Sequence, residues 1–402
     1  MDIPVYSTPG ILEELMESYR PCFKEVRQFK HFEELISAFN TSDKKSIAHL
    51  NSTIVNHTNQ SSMNRFLSSG INTGLMFSRT IEKINTIEDN GIIAIDDTIV
   101  EKTGKNIEAA GWFYDHSKGK NVYGMQFVTS VFSGEYGIYP VNIEVYRKKE
   151  YAGEEYKTKI EMQIDTIKRC IEEKLNFSMV AGDTWYFTKD MVSFLNENSI
   201  NWIFGCKGNR NIKFRGRWTT PDKINLPYRD SIALTVSGDD YSVWEIEAMI
   251  RGIGNVKLVI SEGIHGRRYY ATNLIGLKAK DILELYLKRW DIEVIHKDLK
   301  QGGLGHIFLR KLCSTGRYLC LIVTGRVLLE ISGIRSLNKY PDSPIEKRKR
   351  WISFEFLESL FNGFKQYGNK FVQAVKQSLF TPYKSTRNVL ESGNNLNIVV
   401  TI

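Results

Sequence analysis

Between residues 11 and 85 the chain alternates apolar positions at helical spacing with polar breaks. Ile11-Leu12-Leu15, Phe32-Leu35-Ile36-Phe39 and Ile47-Leu50-Ile54 mark short amphipathic helices, and residues 57–67 and 75–79 continue the pattern. Asn59, Ser61 or Ser62 supplies an N-cap for a helix that carries Asn64 and Arg65 on its first turns. At Gly91 the period changes. Residues 91–95 are a continuous apolar run, as in a buried strand, ending at Asp96-Asp97-Thr98. Residues 121–132 and 139–146 are β-rich, and Ile160, Ile164, Ile167, Ile171 and Leu175 then line one face of a helix. A strand over 177–181 breaks at Gly182-Asp183, and a helix over 191–198 and a strand over 201–204 follow, so the predicted order is βββαβαβ.

Four further strands are predicted between residues 232 and 272, separated by Gly and Asp turns. Residues 280–303 read as one helix. Leu283, Leu287, Trp290 and Val294 form its apolar stripe, and Gly302-Gly303 its stop. Beyond Gly305 the pattern is helical and basic, with a buried helix through residues 319–323 and 327–329 and an exposed basic run at 345–350.

Composition narrows the class. With 402 residues, 42% of them hydrophobic, the chain can bury a large core and divides into two or three domains. Fifty-four Lys and Arg against 46 Asp and Glu leave +8, which is compatible with a polyanionic partner. The five cysteines form no CxxC pair and no signal peptide precedes them, so reduced thiols and a cytoplasmic location are expected. The apolar runs are too short to span a bilayer. No GxxxxGK[ST], GxSxG or HExxH occurs, and the seven histidines lack metal-ligand spacing.

Candidate chemistry lies on the polar side of the 280–303 helix. Tyr286, Arg289, Glu293 and Lys300 fall within an arc of roughly 60° at 100° per residue. A carboxylate there suits a divalent cation, and Arg, Lys and a phenol suit phosphate oxygens, although a plain solvated face has the same look. Asp96 and Asp183 stand at the ends of two predicted strands. Neighbouring strand residues point to opposite faces, so only one of Asp96 and Asp97 can join a cluster. Lys and Gly in residues 101–105 and 114–120 offer phosphate contacts or an ordinary solvated turn. Lys207, Arg210, Lys213, Arg215 and Arg217 make a basic approach able to follow a phosphate backbone.

The spacing Tyr-x2-Arg-x3-Glu-x6-Lys, with Asp96 and Asp183 upstream, resembles the signature of DDE transposases of the insertion-sequence-four superfamily. The resemblance implies an α/β chain: a ribonuclease-H-like core over 89–207 and 274–310, and a β-rich insertion over 208–273. Helical regions flank it, a DNA-binding one over 1–88 and another over 311–402. It implies Asp96, Asp183 and Glu293 as catalytic acids and ligands of two Mg²⁺ (or Mn²⁺) ions, with Asp96 preferred over Asp97 because it lies two residues before a Thr. Tyr286, Arg289 and Lys300 would contact DNA near the reacting end. The implied partners are double-stranded DNA, as terminal inverted repeats and as target, and a second copy in a homodimeric DNA complex, with no membrane. Inverted-repeat binding falls on the helix of Asn64 and Arg65 by position alone, and a plain helical subdomain is the alternative. Some relatives hold a flipped base on an aromatic residue of the insertion. Trp218 and Trp244 are candidates here, though aromatics in strands usually pack in the core. The implied activity is metal-dependent cleavage and strand transfer in cut-and-paste transposition, in a bacterial or archaeal cytoplasm at the nucleoid. A nuclease that does not join, and a transposase-derived DNA-binding protein without catalysis, are the alternatives.

Overall fold

The structure, a computed structural model, describes residues 2–336 except 56, 105, 109, 237 and 265, together with residues 345–368 and 372. Helices come first, at Gly10–Glu17 (α1), Val26–Thr41 (α2), Ile47–Thr53 (α3), Gln60–Ser68 (α4) and Thr73–Asn85 (α5). Strands Ile92–Glu101 (β1), Gly111–Asp115 (β2), Lys120–Ser133 (β3) and Ile138–Tyr146 (β4) follow. Next come Lys149–Ala152 (α6), Lys159–Glu172 (α7), Met179–Gly182 (β5), Lys189–Glu197 (α8) and Asn201–Gly205 (β6). Strands Ile212–Phe214 (β7), Arg217–Thr219 (β8), Ile232–Val236 (β9), Asp239–Ile250 (β10), Gly254–Gly263 (β11) and Gly266–Thr272 (β12) precede the last helices. These are Ala279–Leu287 (α9), Asp291–Gly302 (α10), Leu312–Ser336 (α11) and Ile345–Tyr367 (α12).

Among the described residues, twelve strands join in one mixed sheet. Its order is β2-β3-β1-β5-β6-β12-β11-β10-β7-β8, with β4 on β3 and β9 on β10. The buried centre, Ile92 to Ile95 of β1 with β5 and β6, is parallel, as the continuous apolar runs require. Helix α7 covers β3 and β4, α8 covers β6, and α10 lies across β1 and β3. A capping box fixes the start of α7: Thr158 accepts from the N–H of Glu161, and Glu161 accepts from the N–H of Thr158.

Helix α11 is buried along most of its length and packs on α1, α2, α4, α5, α12 and β4, so the N-terminal helices and the sheet share one post. Its buried Arg326 is held by Asp298 of α10 at 2.5 Å and Glu330 at 2.8 Å. The buried helix read around residues 319–329 is therefore present and longer than its two apolar runs.

Four expectations need correction. Strand β1 does not end at Asp96 but continues to Glu101, because β3 supplies a partner for every residue from Ile92 onward. A strand unseen in the sequence, β2, pairs with the start of β3 through a turn at residues 116–119. The 208–273 segment is not a separate layer. Its last strand, β12, pairs antiparallel with β6, so the insertion extends the central sheet and adds the short β7 and β8. Finally, residues 280–303 are two helices joined by a 3₁₀ turn at Lys288–Trp290. That turn rotates the apolar stripe: Leu287, Trp290 and Val294 are exposed, while Ile282, Leu283, Ile292, Ile295 and Leu299 are buried. The basic run at 345–350 begins α12, but the surroundings of its side chains lie outside the described residues, as does Lys105.

Candidate active site

The register of β1 on β5 sets the two aspartates side by side. Parallel pairing ends at Ile95 opposite Gly182, so Asp96 and Asp183 are the next residues on neighbouring strands. Beyond that point β1 pairs only with β3. Asp183 turns the chain, accepting the N–H of Trp185 at 2.9 Å.

Asp96 and Asp97 have different surroundings. The Asp97 carboxylate is occupied by Gln126 Nε2 at 2.6 Å, Lys159 Nζ at 2.9 Å and the Tyr186 hydroxyl at 3.3 Å. Asp96 accepts the N–H of Asp97 at 2.8 Å and lies 3.7 Å from Arg289 Nη1. Burial, and next the Asp183 carboxylate, push Asp96 up to about 7 in spite of Arg289. Burial also raises Asp183.

Arg289 links this pair to the third acid. Its Nη2 donates to Glu293 Oε1 at 3.1 Å, so one guanidinium spans Asp96 and Glu293. Its Nε is buried and has no hydrogen-bond partner among the described residues. The ring of Tyr286 lies 5.5 Å beneath the guanidinium. Burial pushes the Tyr286 phenol up to about 12, so it keeps its proton and can donate. Asp291 opens α10 and accepts from the Ser133 hydroxyl, anchoring that helix to β3.

Among the described residues, no three His, Cys, Asp or Glu side chains already form a metal cage. The donor set nevertheless suits a hard divalent cation. Two half-buried carboxylates repel each other beside a third that an arginine holds, and added positive charge would relieve that repulsion.

The remaining sequence candidates are spread out. Lys300 is exposed near the β2–β3 turn, and burial of its stem, helped by the Lys118 cation and opposed by the Asp115 carboxylate, lowers its pKa. Lys207 is exposed, and Arg215 is exposed at φ 47° in the β7–β8 turn, with Gly216 at φ 81° completing a tight hairpin. Arg210 differs, donating to the Phe187 carbonyl at 2.7 Å while stacked on the Phe187 ring. Asn64 and Arg65 are exposed on α4, which Asn59 caps and which packs on α2, α3 and α11 rather than on β1 or β5. Trp244 is core, its indole N–H on the Pro227 carbonyl, whereas Trp218 is exposed.

Sequence reasoning missed a groove of about 700 Å³ beside the acids, between the insertion strands and the 3₁₀ turn. Tyr241, Tyr270, Tyr286, Trp290, Arg268 and Arg289 line it. A straight helix would put Trp290 on the apolar stripe with Leu283, whereas the 3₁₀ turn leaves it exposed. His296, one turn after Glu293, was also missed; burial lowers it to about 4, and its Nε2 has no partner among the described residues.

The transposase DDE domain family matches residues 88–325, more than half of the chain and all three acids. The chain belongs to that family. A probable transposase for insertion sequence element IS701 from Microchaete diplosiphon is 26% identical over 231 residues, 53% of this chain and 58% of that protein. The chain therefore matches little more than half the length of that relative. Among solved structures, a piggyBac transposase synaptic complex with hairpin DNA is similar at a TM-score of 0.49 and 10% identity, over 92% of this chain and 78% of that one. A Drosophila P element transposase strand transfer complex is similar at a TM-score of 0.17 and 11% identity, over 52% and 53%. No described helix of this DDE domain protein is long and apolar enough to cross a membrane.

Proposed function

We propose that this protein is a cut-and-paste DNA transposase of the insertion-sequence-four type, with a ribonuclease-H-like core, that cleaves DNA at element ends and joins the freed 3′-hydroxyl to target DNA. The observation that carries the reading is that Arg289 pairs with both Asp96 and Glu293, and its charge also acts on Asp183, within a chain of the DDE family.

Asp96, Asp183 and Glu293 would hold Mg²⁺ or Mn²⁺, two ions in this reading, once Arg289 yields its place between Asp96 and Glu293. Such ions supply Lewis-acid activation of the attacking and leaving oxygens. The residues themselves bind and orient. The guanidinium of Arg289 and the protonated phenol of Tyr286, which both line the groove, offer donors to a phosphate. Trp290 and Tyr270 offer ring faces to a nucleotide of the DNA end. Lys300, Lys207 and Arg215 add positive charge for the backbone further out, and Asn64 and Arg65 on α4 read the terminal repeat. Arg210 contributes through Phe187, stiffening the chain after β6. A homodimer on DNA would bring two element ends together.

The test is cleavage and joining of DNA carrying the element's own flanking ends, with Mg²⁺ or Mn²⁺, in wild type and Glu293→Gln, with end binding followed in parallel. Cutting and joining that vanish in the variant while binding stays support the reading. Cutting without joining makes the protein a nuclease, and activity that survives Glu293→Gln removes that residue from the site.

A further inference from the structure

The β2–β3 hairpin carries two aromatic side chains into solvent. Trp112 and Tyr114 are 56% and 50% exposed, while Phe113 between them is buried. β2 stands at one end of the sheet order, and exposed aromatics at a sheet edge are a hazard that folds usually remove. Here they are braced instead. Trp112 meets Tyr123 of β3 edge-on at 5.6 Å, and Tyr114 meets His116 at 4.9 Å. The strand register puts both rings on the acid side of the sheet. Facing residues of an antiparallel pair share a face, and alternate residues keep it. Asp96, Thr98 and Val100 thus share a face with Thr129, Phe127 and Met125. Tyr123 comes next on that face, with Trp112 opposite it and Tyr114 opposite Asn121. Ser133, on the same face, donates to Asp291 at the start of α10, so α10 lies on this side too. Tyr123 pairs beside Lys102, so the rings begin about 20 Å along the strand from Asp96 at 3.3 Å per residue.

Cations join the two places. Lys297 and Lys300 lie within about 40° of Glu293 around α10, and both are exposed. The charged neighbours of Lys300 are Asp115 and Lys118 of the hairpin. Lys120 is exposed beside them, and Lys118 is held only by an exposed ion pair with Glu101, a weak kind that a phosphate can displace. Arg289 and Trp290 line the groove at the opposite end of α10, so the acids lie between the groove and the hairpin.

We propose that the β2–β3 hairpin is a second nucleic-acid contact, across the acids from the Trp290 groove, in which Trp112 and Tyr114 stack on unpaired bases while Lys118, Lys120 and Lys300 hold the backbone. Ring faces among cations suit an opened strand: every base has a face to stack on, and a paired duplex hides it. The distance from Asp96 sets the position at roughly six nucleotides from the reacting phosphate, at 3.4 Å per step. Two strands share this chemistry, the DNA flanking the element before cleavage and the target DNA at joining. The inference rests on DNA being the ligand of the acid site, as in the functional reading above.

The test uses the full chain and two DNAs that carry 5-iodouracil roughly four to eight nucleotides beyond the reacting phosphate. One is an uncut element end with the label in its flank. The other is a branched DNA in which the end is already joined to a second duplex that carries the label. Irradiation of wild type should crosslink the label to Trp112 or Tyr114, mapped by peptide mass spectrometry, and the DNA that crosslinks names the source. Mismatches that open the labelled stretch should tighten wild-type binding roughly tenfold or more, and Trp112→Ala/Tyr114→Ala should lose that gain. Trp112→Phe, which keeps a ring face, should retain most of it. The double variant should melt within a degree or two of wild type, since both rings are half-exposed. Crosslinks that avoid the hairpin in both DNAs, or a gain that the double variant keeps, overturn the proposal. Full cutting and joining alongside that result would leave the functional reading standing. Hairpin crosslinks in a protein that never cuts would keep this contact and defeat the chemistry of that reading.

Discussion

Arg289 Nη1 lies 3.7 Å from Asp96 Oδ2, and this contact joins the α9–α10 side of the candidate site to the central strand. The same guanidinium reaches Glu293 at 3.1 Å, so an arginine occupies the space between two acids of the candidate triad. Its positive charge offsets only part of the effect of burial and of the Asp183 carboxylate, because Asp96 remains raised to about 7.

A stability difference with a defined pH window follows. The ordinary Asp96 value is 3.8 and its folded value is about 7. Between these, the unfolded chain has lost the proton that the folded chain keeps, so stability falls as pH rises through the window. The cost is about 1.4 kcal/mol per unit at most. Asp96→Asn should therefore match wild type near pH 4, gain stability steadily toward pH 7, and hold that gain above it, in chelator-treated protein. Denaturant unfolding at several pH values measures this, and a difference independent of pH would mean Asp96 is already ionised.

Trp290→Ala should leave the melting temperature within a degree or two of wild type, since the ring is 58% exposed. End binding should weaken by roughly tenfold or more, the cost of about one lost stacking contact. A core role for Trp290 would show the reverse: a large loss of stability and unchanged affinity for the folded fraction.

Gly182→Ala probes the step before Asp183. A β-carbon there would meet the Phe204 ring at 2.8 Å and Ile95 at 3.0 Å, both buried beside the strand pair. Overpacking of this kind costs roughly 1–3 kcal/mol and displaces β5 against β1. Cleavage should fall further than the loss of folded protein explains, because Asp183 moves with the strand. Equal losses of activity and of folded fraction would count against that coupling.

Arg326→Met should be severe. It leaves Asp298 and Glu330 buried without their arginine, a change worth about 3–5 kcal/mol. The triple change Arg326→Met/Asp298→Leu/Glu330→Leu should recover much of that stability, since removing all the charges leaves none unpaired. Thermal melts of both proteins decide it.

Much of the fold was legible locally. The isoleucines from Ile160 to Ile171 mark α7, Asn59 caps α4, and the apolar run before Asp96 marks a buried strand. These follow from hydrogen bonds and burial patterns spanning a few residues. β2 was harder to see because it is a short edge strand, with Trp112 and Tyr114 exposed, and it owes its form to pairing with β3. Trp290 was placed wrongly because a helical period extrapolates through a 3₁₀ turn that only packing on β1 reveals.

By itself, then, the sequence determined the residue types and the spacing from Tyr286 to Lys300, the two aspartates after apolar runs, and the family these mark. Those are properties of short stretches, set by side-chain chemistry and helix or strand period. The tertiary structure alone decided that Gln126, Lys159 and Tyr186 hold Asp97, that Arg289 bridges Asp96 and Glu293, and that the insertion extends the central sheet. Each of these depends on register between strands far apart in the chain, and register is set by the summed packing of both faces, which no local window contains.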